Sequence, residues 1–248
     1  MPSDGVMSAE SLQTIRRSRR DPLITQYDYL HLRELVAGLK GALANVEGEI
    51  RDVLDVWCGS RPYDDLLPPG ARCTGLDIEG NPYGVADVVS NELLPFTDAS
   101  FDLVVCIQAF HYMPDPEHAV SEFARVLRPG GTALVASVFG FEYNRRHFEA
   151  RYTEQQLRAL FAGWGDVRVR EDGGRTATWT VLSGSLLYGL EQRVSGRGPL
   201  KLLHPAFLTS YALLNVLGLV LERAERTGAA NAAFPMNLTL TARKVSVA

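Results

Sequence analysis

Short apolar runs alternate with helical and turn segments along the first 140 residues of the chain. An amphipathic helix is predicted from Tyr29 to Val46, where apolar residues recur at spacings of three and four. Strands are predicted in several runs after this helix, some of them apolar at consecutive positions: "DVLDVW", "RCTGLDI", "GVADVV", "FDLVVCI" and "TALVASVF". Consecutive apolar positions are typical of strands covered on both faces. The pattern predicts an α/β fold with a doubly wound, mostly parallel sheet.

The second half of the chain continues this pattern and then departs from it. "DPEHAVSEFARVLRPGG" has a helical apolar face and ends in residues that stop a helix. Thr153 and Gln156 have the spacing of a capping box, which predicts a helix through Phe161, and "WGDVRVR" is strand-like. Residues 183–227 are largely apolar, which predicts a helical insertion or lid before a last strand, "MNLTLTARK".

One stretch of this insertion, residues 206–221, is apolar nearly all round. A buried helix or lid is the favoured interpretation, and a homodimer surface or a site for a lipid-like or aromatic substrate are the alternatives. Its 16 residues fall short of the roughly 20 that span a bilayer, so no membrane span is predicted.

The N-terminal residues 1–22 are polar and lack periodicity, so we expect a mobile segment before a single domain, 23–248. "RRSRR", from Arg16 to Arg20, is interpreted as a solvated cluster, with an anionic substrate or a membrane surface as the alternative.

Composition narrows the class of protein further. The net charge of -4 and the lack of a long basic run argue against nucleic acid as a partner. Three cysteines without CxxC spacing, and no signal-peptide pattern, favour a cytoplasmic protein. The five histidines lack ligand spacing with acids or thiols, so no metal site is predicted.

The turn after the first strand, "VLDVWCGSRPY", carries the candidate chemistry. Dinucleotide-binding turns need several glycines near a pyrophosphate, but only Gly59 is present, and Asp64 and Asp65 would repel phosphate. Asp77 follows about 20 residues after this turn, where an acid that binds a ribose hydroxyl is expected. The turn therefore suits a nucleoside that lacks phosphates and carries a cation.

The order and spacing of four segments resemble a known family. "VLDVWCGSRPY", "CTGLDI", "LLPFTDASFDLVVC" and "AFHYMPDPEHAVSEFARVLRPGG" are similar to the class I S-adenosylmethionine-dependent methyltransferases, in particular the methyltransferase type 11 group. The resemblance implies a Rossmann-like, seven-stranded sheet whose last strand is antiparallel. It also implies S-adenosyl-L-methionine as the cofactor and a small-molecule acceptor.

The resemblance assigns roles to residues at three strand ends. Asp55, Cys58 and Gly59 match the turn around the methionine part of the cofactor, and Asp77 matches the ribose-binding acid. A turn-capping carboxylate remains the alternative for Asp55, and a loop acid for Asp77. Three further matches are the adenine contact, at Asn91 or else Ser90, and two positions that line the cofactor pocket, Ile107 and Gln108.

Trp57 departs from the family, which has glycine at this position because the backbone approaches the cofactor closely. Either the indole turns into the core or it fills part of the methionine pocket. We expect the first, because a bulky apolar ring gains most from burial.

Methyl transfer is an in-line displacement, and an alcohol acceptor must also lose a proton. His111 and Tyr112 follow the fourth strand, near the transferred methyl group, and a neutral imidazole of ordinary pKa suits a general base. A packed loop histidine and a hydrophobic pocket wall are the respective alternatives. The loop after the fifth strand offers groups for a polar substrate: Tyr143, Arg146, His147 and Tyr152.

We therefore expect a methyltransferase acting on a small molecule, at oxygen rather than nitrogen because a candidate base is present. The acceptor is open, and it includes apolar and lipid-linked compounds. The alternative is a degenerate, non-catalytic domain that binds a nucleoside or a partner protein, and a hydride-transfer enzyme is a distant third.

Overall fold

A seven-stranded sheet organises the computed structural model, which describes residues 7–91, 94–141, 148–195, 202–226 and 234–245. Its strand order is β3-β2-β1-β4-β5-β7-β6, and β7 alone runs antiparallel to its neighbours. The predicted doubly wound sheet with an antiparallel last strand is thus confirmed. The strands are β1 Asp52–Val56, β2 Arg72–Asp77, β3 Val88–Val89, β4 Phe101–Ile107, β5 Leu127–Val138, β6 Gly165–Asp172 and β7 Asn237–Arg243.

Helices lie on both faces of this sheet, as the apolar strand runs require. They are α1 Ala9–Arg20, α2 Tyr29–Leu43, α3 Pro116–Val126, α4 Glu154–Leu160, α5 Arg175–Ser195 and α6 His204–Arg226. The predicted capping box is present at α4, where the Thr153 hydroxyl accepts from the Gln156 N–H and the Gln156 amide oxygen accepts from the Thr153 N–H.

Alternate residues of each central strand enter different halves of the core. In β4, Leu103 and Val105 pack with Leu35 and Leu39 of α2, whereas Val104 and Cys106 face the opposite cluster. That second cluster contains side chains of α3, α4 and the loops around them, among them Phe110, Phe123, Leu157 and Phe161. Both faces of the parallel strands are therefore sealed from water, and only the strand ends remain open for a ligand.

The predicted mobile segment 1–22 contains a helix. Ser8 caps α1 by accepting from the Ser11 N–H. Two members of the basic cluster hold this helix against the loop after β1, since Arg16 donates to the Ser60 carbonyl oxygen at 2.6 Å and Arg20 pairs with Asp65. The interpretation of the cluster as solvated is thus wrong for these two arginines. Their partners, Ser60 and Asp65, are more than 40 residues away in the sequence and come close only in the folded chain.

The insertion consists of α5 and α6, which pack against each other. The expectation of a buried helix at 206–221 is wrong, because Leu213, Val216 and Leu217 point outward. Of the described helices, His204–Glu225 is long and apolar enough to cross a membrane by length and composition, with a mean hydropathy of 1.4. Only 17% of its apolar window is buried, whereas a core helix would be mostly buried.

Two glycines of α5 give a matched test of how the insertion docks. A Cβ at Gly184 would lie 2.6 Å from the Tyr27 carbonyl oxygen, whereas a Cβ at Gly189 would meet nothing within 4 Å. Gly189→Ala should raise the free energy of unfolding by up to about 1 kcal/mol through helix propensity. Gly184→Ala should lower it by about 1 to 2 kcal/mol through overpacking. Urea denaturation measures both, and equal stability of the two variants would show that Gly184 does not dock on Tyr27.

Candidate active site

A cavity of about 720 Å³ opens at the carboxyl ends of β1, β2 and β4. This is where the strand order reverses, because β2 lies on one side of β1 and β4 on the other. The walls come from residues in the last positions of these strands and in the loops that follow them: Asp55, Trp57, Cys58, Gly59 and Ser60 at the end of β1, Asp77, Ile78, Asn81 and Tyr83 at the end of β2, and Ile107, Gln108, Ala109 and Tyr112 at the end of β4.

Asp77 ties the end of β2 to the turn after β1. Its carboxylate accepts from the Gly59 N–H at 2.7 Å, from the Ile78 N–H at 2.8 Å and from the amide of Asn81. The side chain is only 4% exposed and lines the cavity. Hydrogen bonds of this kind to a carboxylate are among the stronger ones in proteins, so Asp77 fixes the shape of the cavity floor.

Trp57 adopts the left-handed conformation that the family reserves for glycine, with a φ of 55°. This conformation costs a non-glycine residue about 1 to 2 kcal/mol. The indole packs against the buried cluster on one side of the sheet and also lines the cavity. The residue therefore takes a position between the two predicted ones, because it is partly buried against the core and also belongs to the cavity wall.

Asp55 is a nearly buried carboxyl group on the cavity wall, 8% exposed. Burial raises its pKa to about 8, and the negative charges of Asp64 and Asp77 act in the same direction against a weaker effect of Arg61. Among the described residues, none donates a hydrogen bond to this carboxyl group. A ligand that brings a cation to Asp55 would therefore stabilise its ionised form.

The end of β4 is held in place from two sides. Gln108 has a φ of 58°, its N–H donates to the Ala136 carbonyl oxygen, and its amide donates to Asn237. A short 3-10 helix follows over Phe110–Tyr112, and Phe110 anchors it because the ring is fully buried against Phe123 and Phe161. Tyr112 is thereby fixed at the cavity wall.

His111 differs from the predicted general base in two respects. Its side chain is 3% exposed and does not line the cavity, although its ring lies 4.1 Å from that of Tyr112. Burial, helped by the charge of Arg151, lowers its pKa to about 4 instead of leaving it near the ordinary value. The imidazole is therefore neutral at pH 7 and a weak base.

Tyr112 is the member of this pair that reaches the cavity, and it is 38% exposed. Burial and the nearby Glu149 raise the pKa of its phenol, so the hydroxyl keeps its proton at neutral pH. It can therefore donate a hydrogen bond to a ligand.

Several predicted site residues lie elsewhere. Asn91 is not among the cavity residues, since its exposed side chain exchanges 3.3 Å hydrogen bonds with Glu79. Tyr152, a predicted substrate contact, is buried and packs at 5.5 Å from the Phe110 ring. The other three substrate contacts, Tyr143, Arg146 and His147, lie outside the described residues.

The cavity also contains residues that sequence reasoning missed. Arg19 of α1 lines it, as do Tyr63, Tyr83 and Phe148. The basic cluster indicated that an arginine could bind an anionic group, but the sequence pattern does not show that Arg19, rather than its neighbours, reaches the cavity. Tyr83 follows the ribose-binding acid closely in "DIEGNPY", which was a usable local signal.

Comparison with known proteins agrees with the geometry. A family model described as "Methyltransferase domain" matches residues 54–135, from β1 into β5. The chain is 37% identical over 103 residues to "Methyltransferase GfsG" of Streptomyces halstedii, a match that covers 35% of this chain and 37% of the relative. It is 30% identical over 133 residues to a ubiquinone biosynthesis O-methyltransferase of Paracidovorax citrulli, covering 47% of this chain and 55% of the relative.

A solved structure extends the likeness of the fold beyond these segments. The cyclase SpnF superimposes with a TM-score of 0.53 at 19% identity, covering 88% of this chain and 83% of the other. This likeness concerns the fold alone. The two relatives above match this chain over less than two thirds of their own length.

The fold is Rossmann-like, and the part of the chain that builds most of the cavity, residues 54–135, matches the methyltransferase-domain model. This part is similar to the class I S-adenosylmethionine-dependent methyltransferases of the type 11 group, and the cofactor of that class is S-adenosylmethionine.

The cavity residues fit this cofactor. Gly59 lacks a side chain where a Cβ would project into open space, so the backbone of the turn is accessible. Asp55, to which no residue in the described part of the chain donates a hydrogen bond, suits the ammonium group of a methionine moiety, and Arg19 on the same cavity suits its carboxylate. Asp77 at the end of β2 is placed for a ribose hydroxyl.

The raised pKa of Asp55 predicts how cofactor binding depends on pH. A cationic ligand binds the ionised carboxylate, so affinity for S-adenosylmethionine should fall by about tenfold per pH unit as the pH drops below about 8. Calorimetric titration between about pH 6 and 7.5 measures this slope, and in this window His31 and His111, each with a pKa of about 4, stay neutral.

Asp55→Asn is the control, and it should bind more weakly with the slope abolished. Any slope that remains belongs to other groups, such as Asp172, whose burial raises its pKa to about 7. Equal slopes in wild type and Asp55→Asn would show that Asp55 does not face the cation.

Proposed function

We propose that this chain is a cytoplasmic S-adenosylmethionine-dependent methyltransferase that methylates an oxygen of a small molecule, and that the acceptor hydroxyl is phenolic or enolic. One observation carries the proposal. A single cavity runs from Asp77 and Asp55, which suit the cofactor, to Tyr112 and Phe148, so donor and acceptor have adjoining places.

The weak base next to the cavity supports an acidic acceptor. An imidazole with a pKa of about 4 accepts a proton poorly from an aliphatic alcohol. A phenol, with an ordinary pKa near 10, gives up its proton much more readily. Aromatic side chains on the wall, Trp57, Tyr112 and Phe148, also suit a planar acceptor.

The cofactor supplies an electrophilic methyl group when it is bound, and the chain has to align the acceptor and exclude water. Tyr112 orients the acceptor oxygen by donating its phenolic proton in a hydrogen bond. His111 packs behind Tyr112 and holds its ring in place, so we assign it a positioning role. The acidic acceptor hydroxyl gives its proton to solvent, and the resulting oxyanion attacks the methyl group. The half-exposed Phe148 and the arginine of α1, Arg19, complete the wall over the reacting groups.

One relative supports oxygen over nitrogen as the acceptor atom. The ubiquinone biosynthesis O-methyltransferase is 30% identical to this chain over 133 residues, and its name states an oxygen acceptor. The non-catalytic alternative has less support, because the turn keeps Gly59 and Asp77 in contact and the cavity open.

Methyl transfer tests the proposal directly. We expect labelled methyl from S-adenosylmethionine to appear on a panel of substituted phenols, and not on matched aliphatic alcohols or amines. Tyr112→Phe should lower kcat/KM by about 5- to 150-fold, the effect of losing one hydrogen bond to the reacting group. Affinity for S-adenosylhomocysteine should stay unchanged.

Tyr152→Phe is the matched control, because that tyrosine lies in the core, and its activity should equal that of wild type. Transfer to amines alone would contradict oxygen methylation. No heat on titration with either S-adenosylmethionine or S-adenosylhomocysteine would favour the non-catalytic alternative.

A further inference from the structure

The hairpin of α5 and α6 presents a broad apolar outer face. Large side chains on this face are strongly exposed: Trp179 at 68%, Leu186 at 75% and Leu213 at 67%. Leu217 and Val220 continue it along α6, and Leu190 continues it along α5. We call this surface the hairpin face. An exposed apolar surface of this kind marks a site of interaction.

The inner face of α6 carries polar side chains that form hydrogen bonds with the rest of the domain. The Asn215 amide donates to the carbonyl oxygens of Ile24 and Gln26, both at 2.8 Å. The Tyr211 hydroxyl donates to Glu191 at 2.7 Å. These bonds hold α6 on the domain, so the helix exposes one side only and does not cross a bilayer.

The charges on the hairpin have one sign on the outside. Its three acids all have partners: Glu222 pairs with Arg33, Glu225 pairs with Arg175, and Glu191 shares a hydrogen bond with His204. Their side chains are at most 18% exposed. Arg193 of α5 and Arg223 of α6, in contrast, are exposed to solvent.

We propose that the hairpin face docks on the surface of a lipid bilayer that contains anionic headgroups. Surfaces that bind a membrane interface have exposed tryptophan and leucine side chains flanked by arginines, as this face has. The apolar side chains enter the boundary of the acyl chains, and the arginines contact the anionic headgroups. A two-fold dimer through the same face would bring the exposed arginines of the two copies close together. The described hairpin has no exposed acid that could pair with them.

The docked face adjoins the part of the chain that covers the cavity. Leu23, 67% exposed, and Ile24, 36% exposed, lie in the segment that Asn215 holds, and this segment continues from α1. Docking therefore brings the α1 wall of the cavity close to the lipid. The proposal does not rest on methyl transfer, because membrane binding is measured without acceptor or cofactor.

Vesicle sedimentation tests the proposal. Wild-type protein should co-sediment with phosphatidylcholine vesicles that contain about 30% phosphatidylglycerol, and much less with pure phosphatidylcholine. About 0.5 M NaCl should weaken the binding, because salt screens the arginines. Leu213→Gln combined with Leu217→Gln should weaken it by about tenfold or more through the loss of two buried leucines.

Val245→Gln is the matched control: it replaces an aliphatic side chain of 52% exposure after the end of β7, next to the start of β6 and so at the end of the sheet opposite to the one from which α5 begins, and should bind like wild type. Cooperative urea unfolding with a midpoint like that of wild type shows that the double variant is folded. Three results would overturn the proposal: no binding by wild type, equal binding to neutral and anionic vesicles, or a wild-type dimer that the double variant dissociates while vesicles bind neither.

Discussion

The hydrogen bond between the Asp77 carboxylate and the Gly59 N–H connects the two strand ends on which the site depends. It joins β2 to the turn after β1, and the same carboxylate also holds the start of the loop that contains Asn81. Because both strands belong to a sheet buried on both faces, their ends are rigid, and a bond between them fixes the loops as well. The cavity is thus shaped by the protein before any ligand arrives.

This constraint explains how the turn accommodates a tryptophan. With the neighbouring Gly59 N–H held by Asp77, the chain passes Trp57 in a left-handed conformation, and its cost of about 1 to 2 kcal/mol is offset by packing of the indole on the core. The indole narrows the cavity and adds an aromatic wall without closing it.

Helix α1 packs over the turn that follows β1. Arg16 binds the carbonyl oxygen of Ser60, so the helix lies over the turn, and Arg19 reaches the cavity. The cofactor site is therefore built from two parts of the chain, the strand ends and a helix that precedes them. A ligand that contacts both parts would tie them together.

The sequence was sufficient for the features that local patterns determine. Apolar runs placed the central strands, and the Thr153 and Gln156 spacing placed a helix start. The family resemblance placed Asp55, Gly59, Asp77 and Gln108 at one cavity. Features that depend on tertiary partners were missed.

Asn91 does not line the cavity because it pairs with Glu79, 12 residues earlier in the chain. Tyr152 enters the core because Phe110, which is remote in sequence, packs beside it. The apolar stretch of α6 has the composition of a buried helix, but only its Tyr211 and Asn215 side finds a surface to cover. His111 keeps its predicted location after β4, yet its burial, and hence its pKa, is set by the fold around it.

The affinity of Asp77→Ala for S-adenosylhomocysteine, measured by calorimetric titration, tests most directly whether this carboxylate shapes the cofactor site. Loss of a charged hydrogen-bond partner should weaken binding by about 1.5 to 3 kcal/mol, or roughly 10- to 150-fold, in a variant that still unfolds cooperatively. Glu79→Ala removes a nearby acid that does not line the cavity, and should leave the affinity as in wild type. Unchanged affinity in folded Asp77→Ala would contradict the account, because the nucleoside would then be held elsewhere.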